Sequence, residues 1–358
     1  MWLLNSKTSQ LKSFISDDEI PGYVILSHTW GEEEVTFQHW QAAHSHDSQF
    51  AAFPDDWRQR NLDNLQRMRG YEKIARCQET ALENGVEWVW VDTCCIDKQS
   101  SAELSEAINS MYRWYNQSLI CYAYLQDARV LDEIKTSRWF QRGWTLQELI
   151  APKTVIFFNQ DWQFLGRKDD LGDELEAITG IDAAVLRGGS FEQASIAKRM
   201  SWAARRSTSR TEDTAYSLLG IFGINMPLIY GEGENAFIRL QEEILRRNPN
   251  DHSLFAWGEH VHLDLPYGNN LAERIQALTL SAGDFPMATD LHGLLASSPK
   301  DFLHSKDIIS SQDSDTFRKP LAQANPRICQ NYVLSLPAQT FTHYTTTAGN
   351  TGVDLQRK

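Results

Sequence analysis

Residues 22–30, GYVILSHTW, set the fold. The apolar run Tyr23 to Ser27 follows Pro21-Gly22 and is too short for a helix, so it reads as a buried strand. The stretch that comes before the next apolar run, GYEKIARCQETALENG (70–85), carries Ile74, Cys77 and Ala81 at helical spacing, and Gly85 is a natural stop. VEWVWVDTCCID (86–97) reads as a second buried strand followed by a loop. After Ser101, AELSEAINSMYRWYNQS puts Leu104, Ile108, Met111 and Tyr115 on one helical face. LICYAYLQD (119–127) is a third strand. TLQELIA (145–151) is a helix closed by Pro152, and KTVIFFN (153–159) is a fourth strand. Strands alternating with helices predict an α/β fold, a parallel sheet with helices on both faces. Ligands of such sheets sit at the carboxyl ends of strands. The residues to examine there are Ser27, His28 and Trp30, then Asp92, Thr93 and Cys94, then Gln126 and Asp127.

Glu32 to Arg69 is polar and aromatic without a clean period, an insertion with a helix or two. From about 169 the pattern is mainly helical. Ser195 can start IAKRMSWAARRS, Ser209 and Glu212 have capping-box spacing before DTAYSLLGIFG, and Gly223 can end that helix. GEGENAFIRLQEEILRR (231–247) is another amphipathic helix. The expected division is an α/β core over 1–168, a helical extension over 169–260 and a variable tail over 261–358. The tail is rich in Ser, Asp and Thr and ends without a finished element, as a truncated chain or a weakly folded tail would.

The chain has 358 residues, 42% of them hydrophobic, enough for a sizeable core, and its 12 tryptophans point to aromatic-rich packing or pockets. A net charge of −13 argues against nucleic acid or an anionic membrane as partner, since both select basic faces. Cys77, Cys94, Cys95, Cys121 and Cys329 are odd in number and form no C-x-x-C pair, which suits free thiols in a reducing, cytoplasmic compartment. No secretory pattern opens the chain and no apolar run reaches membrane-spanning length, so a soluble protein is expected.

SRWFQRGWTLQELIAPK (137–153) sets a carboxylate, Glu148, four residues after Trp144 and directly before Leu149 and Ile150. On a regular helix Trp144 and Glu148 share a face. YVILSHTWGEEEVTFQ, the 70–127 run and SRWFQRGWTLQELIAPKTVIFF together resemble the HET domain of fungal heterokaryon-incompatibility proteins. SWAARRSTSRTEDTAYSLLGIFGINMPLIYGEGENAFIRLQEEI resembles the segment that follows in that family. The resemblance covers roughly residues 1 to 260 and implies a cell-death effector of heterokaryon (vegetative) incompatibility. It further implies a homo-oligomer on activation and an NLR-type or incompatibility partner protein. HET domains look distantly like TIR domains, which implies a flavodoxin-like sheet. Many TIR domains cleave NAD through a glutamate on the helix after the third strand. Here GWTLQEL supplies Trp144, Glu148 and Leu149, with Thr145 where that motif has cysteine.

On that resemblance Glu148 is the catalytic candidate of an NAD nucleosidase, with NAD as substrate and no cofactor. The nicotinamide leaves neutral, so a single carboxylate that steadies the oxocarbenium-like sugar can suffice. The alternatives are a core Trp144 with Glu148 at the surface or paired with Arg142, and a non-enzymatic self-associating module whose tryptophans anchor interfaces. Ser27, His28, Trp30, Asp92, Thr93 and Cys94 are substrate-binding candidates beside Trp144. Asp92 can instead close an Asx turn, and His28 and Trp30 can simply be packed. Cys94 with His28 is a rival thiol nucleophile and base. Arg205, Arg206 and Arg210 are phosphate-binding candidates, or partners of Glu212 and Asp213. His39, His44 and His46 match no zinc spacing, so no metal is expected, and GEG at 231–233 is no phosphate loop.

Overall fold

The structure is a computed structural model that describes residues 1–44, 55–258 and 295–308. It divides into two compact units, Met1–Gln193 with Trp202–Asn248, and Ala194–Ser201 with Pro249–Lys358.

The first unit is built on a seven-stranded mixed sheet, an α/β fold. Its strands are β1 (Trp2–Asn5), β2 (Leu11–Ser13), β3 (Tyr23–His28), β4 (Trp88–Val91), β5 (Ile120–Tyr124), β6 (Val155–Phe158) and β7 (Phe164–Arg167), in the order β2-β1-β4-β3-β5-β6-β7. The centre, β4-β3-β5-β6, is parallel, as the four apolar runs predict. A wholly parallel sheet is corrected at the edges, where β1, β2 and β7 pair antiparallel. These three strands carry no long apolar run. The edges are β2 and β7, where a strand needs only one face buried: β2 buries no residue and β7 only Gly166, whereas β1, between β2 and β4, buries Leu3 and Leu4 on its two faces. The β1–β2 hairpin is closed by Asn5, whose side-chain oxygen accepts the Lys7 and Thr8 amides at 3.0 Å each.

Helices α1 (Phe37–His44), α2 (Asp55–Arg67) and α3 (Tyr71–Glu83) lie between β3 and β4. Helix α4 (Ser101–Gln117) follows β4, and the six-residue α5 (Thr145–Ile150) precedes β6. Helix α4 is capped by Ser100, one residue before the serine that the pattern suggests, through the Glu103 amide at 3.3 Å. The strand register explains which helix covers which face. Ile25, Trp90 and Cys121 share one face, and Leu26, Val91 and Tyr122 share the other. Trp90 packs edge-on against Trp114 and Tyr115 of α4, whereas the Tyr122 hydroxyl meets Asn84 and Thr80 at α3. So α3 covers one face, and α4 with α5 the other. The chain changes sides after β4, which makes the boundary between β3 and β5 the topological switch point of a doubly wound sheet.

Further helices run over 172–179, 183–186, 213–216, 219–222 and 235–247 in the same unit. Gly223 ends the fourth of these in a left-handed conformation with φ 63°, as expected. The capping box expected of Ser209 and Glu212 is not formed. The Glu212 carboxylate instead accepts the amides of Gly231 and Gly233 at 2.7 and 3.1 Å and so anchors the GEG turn.

In the second unit, Ser195 caps the helix Ile196–Ser201 through the Lys198 amide at 3.1 Å. Asp251 and Ser253 bind the next two amides of that helix. His46, Cys329 and most of the expected tail lie outside the described residues. Among the described residues no helix is long and apolar enough to cross a membrane.

Candidate functional site

Ser27 and His28 are consecutive on β3, so their side chains leave opposite faces of the sheet. On the α4–α5 face the Ser27 hydroxyl donates to the Glu148 carboxylate and accepts the Trp139 indole N–H at 2.8 Å. Trp139 sits in a short 3-10 turn, Arg138–Gln141. Asp127, at the end of the third strand run, organises that turn by accepting the Ser137 hydroxyl at 2.6 Å and the Arg138 amide at 2.9 Å.

Six residues make a helix that would not persist alone. Helix α5 is held instead by two buried cations. Arg206 donates from Nη1 to the Arg142 carbonyl at 2.9 Å and to the Thr145 hydroxyl at 2.8 Å, at the helix start. Lys168 donates to the carbonyls of Pro152 at 2.5 Å and Leu149 at 3.2 Å, at its end, where a cation also suits the helix dipole. Every side chain of α5 is buried, and Glu148 is 8% exposed. Burial raises the Glu148 carboxyl to about 7, and the neighbouring Asp92 adds to the rise. Hydrogen bonds from Ser27 and Tyr115 and the charge of Arg142 oppose it.

Asp92, just past the end of β4, links this group to the other face. It accepts the Trp30 indole N–H at 2.7 Å and lies 3.8 Å from His28 Nδ1. The turn after β4 is closed by backbone bonds from Cys94 and Cys95 to the Val91 carbonyl, so the Asp92 side chain is used elsewhere. On the α3 face His28 Nε2 lies 3.8 Å from Glu34, whose other oxygen accepts from Lys73 at 2.5 Å. Burial, then the Lys73 charge, lower the His28 value and keep the ring neutral. Trp30 is 44% exposed and carries the Lys98 ammonium 3.6 Å above its ring.

Beside these residues a cavity of about 850 Å³ opens at the carboxyl ends of β3 and β5, lined among others by Trp30, Glu34, Lys73, Tyr124, Arg138 and Trp162. Glu148 does not line it.

The sequence candidates thus separate. Ser27, His28, Trp30, Asp92 and Glu148 converge on the ends of the first two central strands. Glu148 is not at the surface, as one alternative had it. Trp144 is the N-cap of α5, in helical conformation with its carbonyl accepting the Glu148 amide at 3.5 Å, but its indole bonds to Asp213. Trp139 is the tryptophan that meets the Ser27–Glu148 pair. Thr93 is buried and its hydroxyl has no partner among the described residues. Cys94 is fully buried and its thiol is pushed well up by burial, so it cannot supply the thiolate of a nucleophile.

The three arginines are not a cluster in space. Arg205 is exposed, Arg206 is buried against α5, and Arg210 lies 4.4 Å over the Tyr230 ring. Among the described residues no group of three or more His, Cys, Asp and Glu could hold a metal ion. Trp139, Lys168, Glu34 and Lys73 carried no sequence signal beyond the density of tryptophan and arginine at 138–144.

Trp139→Phe keeps most of the buried volume and removes the bond to Ser27, so it is expected to cost about 1 kcal/mol. Trp139→Ala is expected to cost about 3–5 kcal/mol. Urea denaturation of the two variants separates the bond from the packing. A Trp139→Phe variant as stable as the unaltered chain would mean that the indole N–H contributes nothing.

Residues 23–130 match the family model "Heterokaryon incompatibility protein (HET)", and residues 235–335 match a domain of unknown function, DUF8212. The chain is 43% identical over 240 residues to "Vegetative incompatibility protein HET-E-1" of Podospora anserina. That alignment covers 63% of this chain and 16% of the relative, so the chain spans a small part of that protein's length. No solved structure matches the chain. Ser27, His28, Trp30 and Asp92 fall inside the matched HET span, and Trp139 and Glu148 follow it. Residues 23–130 are thus similar to the HET domain of heterokaryon incompatibility proteins.

Proposed function

We propose that this chain is a cell-death effector of vegetative incompatibility that hydrolyses NAD at the nicotinamide–ribose bond, with Glu148 as its catalytic carboxylate. The observation that carries the reading is a buried glutamate held by Ser27 at the end of the first central strand, with its ionisation raised to about 7. Its place on the helix after the third parallel strand is the one that the TIR resemblance implies.

In the reaction the C1′–N bond breaks and its electron pair leaves with nicotinamide, which departs neutral. Ionised Glu148, in surroundings of low polarity, steadies the positive charge that develops on the sugar more strongly than it would in water. Water then adds to C1′ and its proton passes to the carboxylate. A ribose hydroxyl takes over the place of the Ser27 donor, since the carboxylate is otherwise enclosed. NAD enters as substrate, and no cofactor is required.

Incubation of the full chain with NAD tests the reading directly. Nicotinamide is expected to appear, and its rate should rise with pH and level off above about 7, because the ionised carboxylate is the active form. No nicotinamide from concentrated, assembled protein would end the hydrolase reading.

A second reading is a non-enzymatic module that acts by self-association or through an incompatibility partner. One observation favours it: among the described residues β7 is an unpaired sheet edge, and its Phe164 is 61% exposed. Full toxicity of Glu148→Ala in cells, with loss in Phe164→Lys, would select it.

A further inference from the structure

The cavity of about 850 Å³ is built around a tryptophan held in an uncommon way. Trp162 has φ +60°, a left-handed conformation costly for a bulky side chain. Such strain persists only where surrounding contacts enforce it. Here the indole N–H donates to the Thr80 hydroxyl at 2.7 Å, and the ring stacks on Phe158 at 5.0 Å and lies tilted on Tyr124 at 5.2 Å. Tyr124 and Phe158 are register partners on adjacent strands and share one sheet face. Trp162 therefore lies across both with one side of its ring, which leaves the other side to the cavity that it lines.

The remaining walls have a matching chemistry. Trp30, fixed by Asp92 and Lys98, faces the same cavity and also belongs to the group that borders Glu148. Arg138 and Arg69 add guanidinium groups, both largely exposed, Arg138 beside Asp127 at 3.4 Å and Arg69 beside Glu32 and Glu33 at 3.7 and 3.9 Å. Glu32, Glu33, Glu34, Glu72 and Asp161 line it too, against Arg69, Lys73, Arg76 and Arg138, so the walls are of mixed charge and do not suit a bare polyphosphate. An aromatic platform, guanidinium groups and carboxylates that can accept hydroxyl protons fit a nucleotide: a base, a phosphate and a ribose. The position is the crevice at the switch point between β3 and β5, where doubly wound sheets take ligands.

We propose that this cavity binds an adenine nucleotide, with the base on Trp162 and the phosphate at Arg138. A dinucleotide bound this way runs from Trp162 past Trp30 toward Asp92 and Glu148. That direction rests on the hydrolase reading, whereas the binding itself does not.

Calorimetric titration of the full chain with AMP, ADP-ribose and adenosine tests the proposal. AMP and ADP-ribose are expected to bind saturably, with Trp162→Leu weakening both roughly tenfold or more, as loss of one stacked base does. Arg138→Ala, at an exposed side chain, is expected to fold normally and to weaken AMP but not adenosine. Absence of AMP and ADP-ribose binding to the unaltered chain overturns the proposal, as does unchanged AMP affinity in Arg138→Ala or in folded Trp162→Leu. Glu148→Gln should keep AMP binding. Nicotinamide release without AMP binding would remove the cavity and keep the hydrolase. AMP binding without release would do the reverse.

Discussion

Glu148→Gln is expected to melt at a higher temperature than the unaltered chain at pH 8, while it loses nicotinamide release. The carboxyl titrates near 4.5 when unfolded and is raised to about 7 by burial in the folded chain. A raised folded value means that stability is fully present below pH 4.5 and falls as pH rises through 7. The loss above pH 7 corresponds to about 3 kcal/mol, carried by a side chain almost wholly out of water. Glutamine has nearly the same shape, can accept the Ser27 hydroxyl and never ionises. Its advantage should therefore be small at pH 4 and greatest above pH 7. Melting curves of both proteins at those two pH values are the measurement. An advantage that does not grow with pH would show that the carboxylate is not held against its preference for water. A residue that stabilises the fold when neutralised is kept for some other reason, which is the usual trade at a functional site.

Arg206→Met is expected to act in the opposite direction, with a loss of about 3 kcal/mol or more. Its guanidinium holds the Arg142 carbonyl, the Thr145 hydroxyl and, at 3.3 Å, the Trp202 carbonyl. Methionine can fill the space but withdraws three donated bonds inside the protein, leaving the Arg142 carbonyl only the Thr145 hydroxyl as a side-chain donor. The change also withdraws a positive charge that interacts with Glu148, so the Glu148 ionisation should move further up and any pH–rate profile with it. Burial already lowers Arg206 to about 10, far enough above neutrality that it stays charged. Arg206→Lys keeps the charge without the fork and should fall between the two. Denaturant unfolding measures the first effect. Infrared absorption of the Glu148 carboxyl as a function of pH measures the second without any need for activity. A variant as stable as the parent, with an unmoved carboxyl, would mean that Arg206 does not hold this helix.

Both substitutions bear on how far residues can be read without coordinates. The four central strands were legible because strands buried on both faces read as near-continuous apolar runs, and YVIL, WVWV, ICYAY and VIFF are such runs. The edge strands were not, because half-polar segments of three or four residues look like loops. Glu148 stood out by its sequence context, but its companion did not. Spacing of four residues favoured Trp144, whose indole bonds to Asp213, whereas the 3-10 turn ahead of α5 carries Trp139 to Ser27. The triplet Arg205, Arg206 and Arg210 looked like one basic patch, although adjacent residues in irregular backbone point different ways.

Hydrophobic period is a local property, so the residues alone fix the alternation of strand and helix, and with it the row of strand ends where Ser27, His28 and Asp92 emerge. Which side chains meet there depends on long-range packing. The contact of Ser27 with Glu148 spans 121 residues and that of Trp139 with Ser27 spans 112. Whether a carboxylate so placed is dry depends on how the surrounding elements close over it, and no stretch of sequence records that.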